Sequence, residues 1–156
     1  ILLFDRKANT FTPVFNERVA VGAFQTGWRT PQDILIIFGS DADTNRDGQL
    51  DNGDITDLYV YTIADKQLHR IAAPGFSAVQ TYDIPNADYL IVQYRVDRNR
   101  DGKITTGAYG DSEPEPCVLM RVDLKTYEAK PFVPSEIAAQ LQKTLEATGV
   151  FLGMKP

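Results

Sequence analysis

An internal repeat constrains this chain more than any other feature of its sequence. The segment DTNRDGQL, residues 43–50, recurs as DRNRDGKI, residues 97–104, at a displacement of 54 residues. Pro31 and Pro85, each shortly before an apolar run, are separated by the same distance. Two landmarks with one offset indicate duplication. Repeats of this kind are typical of folds in which each unit completes its core by packing on its neighbours.

Each complete unit contains about four short apolar segments. Those of the first complete unit are rich in β-branched and aromatic side chains, are bounded by Gly, Pro, Asn and Asp, and cover residues 19–24, 34–38, 58–62 and 67–71. This pattern predicts strands. Residues 58–71 are similar to residues 118–132 and to residues 2–15, which indicates a third, partial copy. The sequence therefore predicts an all-β fold of repeated four-strand units.

The C-terminal segment has a different pattern. Ser135 can cap a helix in which Ile137, Leu141 and Leu145 share one face, and Gly149 can end it. We expect this helix to cover a sheet edge or end, with a partner's groove as the alternative. We divide the chain into a repeat region, 1–133, with units 1–16, 17–72 and 73–133, followed by a helix and tail, 134–156.

Charge and composition argue against several classes of function. The chain has 16 Lys and Arg against 21 Asp and Glu, a net charge of −5, so we expect no nucleic-acid partner. The single cysteine, Cys117, allows neither an internal disulfide nor a multi-cysteine zinc site. With one histidine, His69, the chain lacks the residues usual for a histidine-based metal site or for several acid–base steps. No apolar run approaches the roughly 18 residues of a membrane-spanning helix.

An oxygen-rich loop in each unit is the feature with the clearest chemistry. In the first loop, Asp43, Asn45 and Asp47 occupy positions 1, 3 and 5, and Gly48 follows at position 6. This is the ligand register of an EF-hand-type calcium loop, in which the carbonyl of position 7 also faces the ion. The flanking segments lack helical periodicity, so we expect the loop to join two strands. A polar turn without metal is the alternative.

Positions 12 and 15 are the candidate positions for the closing carboxylate of each loop. In the first loop, Asp54 at position 12 and Asp57 at position 15 both qualify; in the second, position 12 is Ala108 and position 15 is Asp111. We predict one or two calcium sites with structural roles. The candidate ligands are Asp43, Asn45, Asp47, Gln49, Asp54 and Asp57 in the first loop, and Asp97, Asn99, Asp101, Lys103 and Asp111 in the second.

The order of these elements resembles the blades of TolB-like β-propellers. The similar elements are a Pro-containing turn, an apolar strand, the DxNxDG loop, the strand LYVYT, a polar turn and the strand QLHRI, and the resemblance covers about residues 2–132. It implies four-stranded antiparallel sheets packed radially, with calcium loops in some blades. It also implies an interaction platform in the periplasm or outside the cell, and it carries over no catalytic residue.

These observations together predict a non-enzymatic, calcium-binding β-propeller-type module that serves as a protein-interaction or structural subunit. A closed propeller needs about four to eight blades. We therefore expect the chain to be part of a longer polypeptide, or its partial propeller to be completed by another copy or subunit. The alternatives are the propeller portion of a larger hydrolase or peptidase, and a carbohydrate-binding module that uses Trp28 and the tyrosines.

Overall fold

A computed structural model describes residues 1–26, 33–104 and 115–147. Their elements are β1 (Leu2–Asp5), β2 (Thr10–Pro13), β3 (Ala20–Thr26), β4 (Ile34–Ser40), β5 (Asp57–Thr62), β6 (Gln67–Ile71), β7 (Phe76–Asp83), β8 (Tyr89–Val96), β9 (Cys117–Asp123), β10 (Ala129–Pro131) and α1 (Ser135–Ala147). Several residues to which the sequence assigns a role lie outside the described residues: Trp28, Pro31, Ala108, Asp111 and Gly149.

The described strands form three antiparallel sheets. Strands β1 and β2 make a hairpin, β3 to β6 make a first four-stranded sheet, and β7 to β10 make a second one. In each four-stranded sheet, every strand pairs with its neighbour in the chain. The prediction of a mostly β chain with repeated four-stranded antiparallel units is confirmed. The described strands do not form a closed propeller.

The backbone repeats in detail between units. The first strand of each four-stranded sheet has a register shift, between Val21 and Ala23 in one sheet and between Ala78 and Gln80 in the other. Such shifts twist a strand and are characteristic features rather than defects. The hairpin turns also match, because each contains a non-glycine residue with φ near +60° at the same point: Asn9, Lys66 and Tyr127. This shared turn supports the partial third copy.

The first sheet is buried on both of its faces. Alternate residues of a strand point to opposite faces, and Ile36 and Ile37 accordingly belong to different apolar clusters. One cluster lies between the two four-stranded sheets and includes Leu58 and Leu90. The other lies between the first sheet and the hairpin and includes Val14. Strands β4 and β5 therefore form the centre of the molecule, and the loop between them is anchored at both ends to the core.

The predicted helix is confirmed as α1, but its expected packing is not. The backbone N–H of Ala138 donates to the carbonyl of Pro134 in the first turn. Every side chain from Ser135 to Leu141 is exposed, and that of Ile137 is 49% accessible. The expectation that the helix covers a sheet edge is wrong for these residues. Ile137 and Leu141 make a narrower stripe than the three to four apolar residues per two turns of a core-facing helix.

Candidate metal-binding loops

Both oxygen-rich loops lie at the same point of their sheets. The first connects β4, which ends at Ser40, to β5, which begins at Asp57. The second follows β8, which ends at Val96, and precedes β9, which begins at Cys117. Each loop therefore joins the second and third strands of a four-stranded sheet. The prediction that these loops are flanked by strands rather than by helices is confirmed.

The side chains at positions 1, 3 and 5 of the first loop fold inward onto its own backbone. Oδ2 of Asp43 accepts the N–H of Gly48 at 2.9 Å, and its Oδ1 accepts the N–H of Asp47 at 3.2 Å. Oδ1 of Asn45 also accepts the N–H of Asp47, at 2.9 Å. Oδ1 of Asp47 accepts the N–H of Gln49 at 2.9 Å. These bonds turn three oxygen-bearing side chains toward one side of the loop.

The second loop repeats three of these four bonds. Oδ2 of Asp97 accepts the N–H of Gly102 at 3.0 Å. Oδ1 of Asn99 accepts the N–H of Asp101 at 3.1 Å, and Oδ1 of Asp101 accepts the N–H of Lys103 at 2.9 Å. In both loops, the side chain at position 1 therefore accepts the N–H of position 6, that at position 3 the N–H of position 5, and that at position 5 the N–H of position 7.

Backbone dihedrals show the same correspondence. Arg46 and Arg100, at position 4, have φ angles of 60° and 59°, and the glycines at position 6, Gly48 and Gly102, have φ angles of 85° and 76°. The left-handed region is costly for residues with a Cβ, so glycine at position 6 avoids a cost that arginine bears at position 4. The two loops thus follow one backbone path, although only some of their residues are identical.

Asp54 closes the first loop. Its side chain is 3% exposed, and it returns to the start of the loop, where its Oδ1 accepts the N–H groups of Thr44 at 2.8 Å and Asn45 at 3.3 Å. Its Oδ2 accepts the N–H of Asp51 at 3.1 Å. Burial acts to raise the pKa of Asp54, but these backbone donors outweigh it and hold the pKa below the ordinary value. Asp54 is therefore an ionised carboxylate inside the loop.

Asp57 has a different environment from Asp54. It is the first residue of β5, and Nε of Arg70, in β6, donates to its Oδ2 at 2.7 Å. Arg70 also pairs with Asp41 at 2.8 Å. Burial raises the pKa of Asp57, and the nearby Arg70 only partly opposes this effect. Of the two candidates for the closing carboxylate, the structure brings Asp54 into the loop and joins Asp57 to Arg70.

Thr44 is a loop residue to which the sequence pattern assigned no role. Its hydroxyl oxygen accepts the N–H of Ile55 at 2.8 Å and donates to the carbonyl of Gly102, in the second loop, at 2.8 Å. Position 2 of an EF-hand-type loop is not a ligand position, so the register gave no reason to select it. A hydroxyl next to two ligands was the only signal in the sequence, and the corresponding residue of the second loop is Arg98.

The donor chemistry of both loops fits a hard cation. Carboxylate, carboxamide and carbonyl oxygens are the ligands that Ca²⁺ takes. Oδ1 of Asp97 is buried, and none of the described residues gives it a hydrogen bond. Among residues 1–26, 33–104 and 115–147, no three His, Cys, Asp or Glu side chains are grouped as a metal site by themselves. A complete coordination shell would therefore depend on Asn45 or Asn99, on backbone carbonyls and on water.

Comparison with known proteins adds no relative to this description. No family model matches the chain, and no curated protein or solved structure is significantly similar to it. No helix in the described part of the chain is long and apolar enough to cross a membrane.

Proposed function

We propose that this chain is a non-enzymatic, calcium-binding β-propeller-type module that acts as a protein-interaction or structural subunit. The observation that carries the proposal is the duplicated loop conformation. Asp43 and Asp97 make the same bond to the glycine of position 6, at 2.9 and 3.0 Å, and the bonds accepted by the side chains at positions 3 and 5 match as well. A turn that only reverses the chain does not require oxygen donors at three alternate positions in both copies.

Calcium in these loops would have a structural role. The first loop and its flanks, residues 41–57, contain six aspartates against one arginine, Arg46. A divalent cation would reduce the repulsion among their carboxylates. Asp43, Asn45 and Asp47 would hold it in the first loop, and Asp97, Asn99 and Asp101 in the second. Extracellular calcium modules typically have dissociation constants of about 10⁻⁴ to 10⁻³ M, which suits our proposal of a periplasmic or extracellular location.

The stacking of the units supports a propeller-type architecture. Each four-stranded sheet is a meander whose strands follow chain order, and the two sheets share one apolar cluster that includes Val60 and Val92. The hairpin β1–β2 packs on the opposite face of the first sheet through Val14. Successive units thus stack face to face, which is how the blades of a propeller are arranged.

The outer face of the hairpin supports a further protein unit as the partner. Phe4 and Phe11 lie in contact there, with ring centroids 4.8 Å apart, and Phe11 is 68% exposed. The matching turns place Phe4 and Phe11 in correspondence with Tyr61 and Leu68, which pack in the cluster beneath the hairpin. The same positions are therefore covered in one unit and exposed in the other, which favours a partner sheet on the hairpin.

Thermal unfolding of the full chain in calcium, magnesium or chelator tests the calcium sites. At about 10 mM calcium, a site with a dissociation constant of 10⁻⁴ to 10⁻³ M stabilises the folded state by about 1.4 to 2.7 kcal/mol. For a chain of this length we expect the midpoint to rise by about 3 to 10 °C. Magnesium should give a smaller shift because it prefers few protein ligands in a rigid octahedron.

Two aspartate variants make this test specific. Asp47→Asn keeps the oxygen that accepts the N–H of Gln49 but removes a charge, and it should lose about half or more of the calcium shift. Asp5→Asn is the control, since Asp5 is also a turn carboxylate that accepts two backbone N–H groups, from Lys7 and Ala8. It should keep the full shift. Equal midpoints of the wild-type chain in calcium and in chelator would overturn the proposal.

A further inference from the structure

The two loops are in direct contact with each other. The hydroxyl of Thr44 donates to the carbonyl of Gly102 at 2.8 Å. A Cβ atom on Gly102 would lie 2.0 Å from the carbonyl oxygen of Thr44 and 2.9 Å from the backbone nitrogen of Asn45. Gly102 is buried in this contact. The backbones of the two loops therefore touch without space for even one additional carbon atom.

This contact joins the ligand-bearing segments of both loops. Thr44 lies between Asp43 and Asn45, and Gly102 follows Asp101 directly. The N–H of Thr44 donates to Oδ1 of Asp54 at 2.8 Å, so the closing carboxylate of the first loop also bonds to a residue of this contact. A movement of Asp43 or Asn45 toward an ion would therefore displace Thr44, and with it the backbone of the second loop at Gly102.

The carboxylate at position 1 of the second loop, next to this contact, has one oxygen whose surroundings favour a cation. Oδ2 of Asp97 accepts the N–H of Gly102 at 3.0 Å, while Oδ1 of the same carboxylate is buried and has no hydrogen-bond partner among the described residues. A buried carboxylate oxygen without a donor is costly. A cation at position 1 of the second loop would remove this cost.

We infer that the two loops bind calcium cooperatively and that Thr44 is the positioning residue that couples them. This inference rests on the proposed function. The first ion orders one loop and, through the Thr44–Gly102 contact, part of the other, so less conformational entropy remains to be lost when the second ion binds. Coupling of this kind is reciprocal and typically changes affinity by 5- to 150-fold. Repulsion between the two ions is reduced by screening at about 0.15 M salt.

Calorimetric titration of the full chain with calcium chloride alone measures this coupling. Asp101→Asn weakens the second loop and Asp47→Asn the first, and both variants keep the oxygen that accepts a backbone N–H. The remaining site of each variant gives an uncoupled binding constant. The product of the two wild-type constants, divided by the product of these single-site constants, is the coupling factor. We expect a factor of about five or more.

Variants of Thr44 test the route of the coupling. Thr44→Ser keeps the hydroxyl and should keep the factor, whereas Thr44→Val removes the bond to Gly102 and should lower the factor by at least half. An unchanged factor in Thr44→Val would overturn the role of Thr44. If this variant does not fold, the serine variant still tests the role of the hydroxyl. Loss of the coupling factor in Thr44→Ser, measured with the same two aspartate variants, counts against it.

The outcomes of the titration separate the two proposals. A wild-type chain that binds two calcium ions with a factor of one overturns the cooperativity and leaves the proposed calcium sites intact. A wild-type chain that binds only one ion also overturns it, since no second site is available for coupling. A chain that binds no calcium at millimolar concentrations overturns the proposed function and this inference together.

Discussion

The two four-stranded sheets share a topology but differ in burial. In the first sheet, all residues of β4 and β5 are buried. In the second sheet, β8 has buried residues mainly on the face that meets the first sheet, and β9 alternates between exposed and less exposed positions. Leu58 and Leu119 illustrate the difference. Each pairs with a residue of the preceding strand, Leu58 with Phe38 and Leu119 with Gln93, yet Leu58 is 0% exposed and Leu119 is 39% exposed.

Neighbouring units, rather than the sheet itself, produce this difference. The first sheet lies between the hairpin and the second sheet, while the outer face of the second sheet meets no further sheet among the described residues. Stability in repeat folds is approximately a sum of unit terms and interface terms. Equivalent substitutions in the two sheets should therefore have unequal costs, and the largest differences should occur where an interface is lost.

Truncation of Leu58 should have the largest effect. Leu58→Ala removes a fully buried side chain from the cluster between the sheets, and a change of this kind costs about 3 to 4 kcal/mol through lost burial and cavity formation. Leu119→Ala, the matched variant, should cost about 1 kcal/mol or less. Urea unfolding of both variants measures the difference. Equal losses would show that the outer face of the second sheet is covered in solution.

The next largest difference in unfolding free energy is expected between alanine variants of the position 6 glycines of the two loops. Both have positive φ, so replacement by alanine costs about 1 kcal/mol or somewhat more at either position. A Cβ on Gly48 would meet no described atom within 4 Å, whereas one on Gly102 would clash with the backbone of Thr44. We expect Gly102→Ala to cost about 2 to 3 kcal/mol and Gly48→Ala about 1 kcal/mol.

Chemical unfolding in chelator, which removes any contribution of calcium, measures these two losses. Similar losses for both variants would mean that the loops separate readily in solution. That result would also weaken the inferred coupling, because the contact would then be too soft to transmit movement from one loop to the other.

Local sequence patterns predicted the strands and the loop geometry, since both depend on residues close in the chain. Residues 34–38 were predicted as a strand and β4 covers Ile34–Ser40, because a β-branched run bounded by polar residues is a local signal. Position 6 of each loop needs glycine for its φ angle, which is also local.

Features that depend on distant partners could not be predicted in the same way. Asp54 and Asp57 are equivalent in the sequence pattern, and only the pairing of β5 with β6 brings Arg70 to Asp57. The contact between Thr44 and Gly102 requires two residues 58 positions apart in the chain, one in each loop, to meet. The exposure of Ile137 depends on where the helix leaves the second sheet. These features therefore depend on contacts between residues distant in the chain, which sequence periodicity does not report.

The smallest effect is expected for substitution of the closing carboxylate, Asp54, at position 12 of the first loop. The second loop has Ala108 at this position. The pKa of Asp54 lies below its ordinary value of 3.8, so its stabilising contribution is present above that pH and is lost as the pH falls through its folded-state pKa. In chelator at pH 7, Asp54→Asn should cost about 1 to 2 kcal/mol because it loses hydrogen bonds to a charged acceptor. This cost should shrink below about pH 4.

Asp57→Asn provides the matched control for this pH dependence. Burial raises the pKa of Asp57, so its contribution to stability is greatest below the ordinary value of 3.8 and declines as the pH rises through its folded-state pKa. The difference in unfolding free energy between wild type and Asp57→Asn should therefore fall with increasing pH, while that for Asp54→Asn rises. Urea unfolding between about pH 3 and 7 measures both curves. Parallel curves would mean that the two carboxylates have similar environments, and the assignment of Asp54 alone to the loop would then fail.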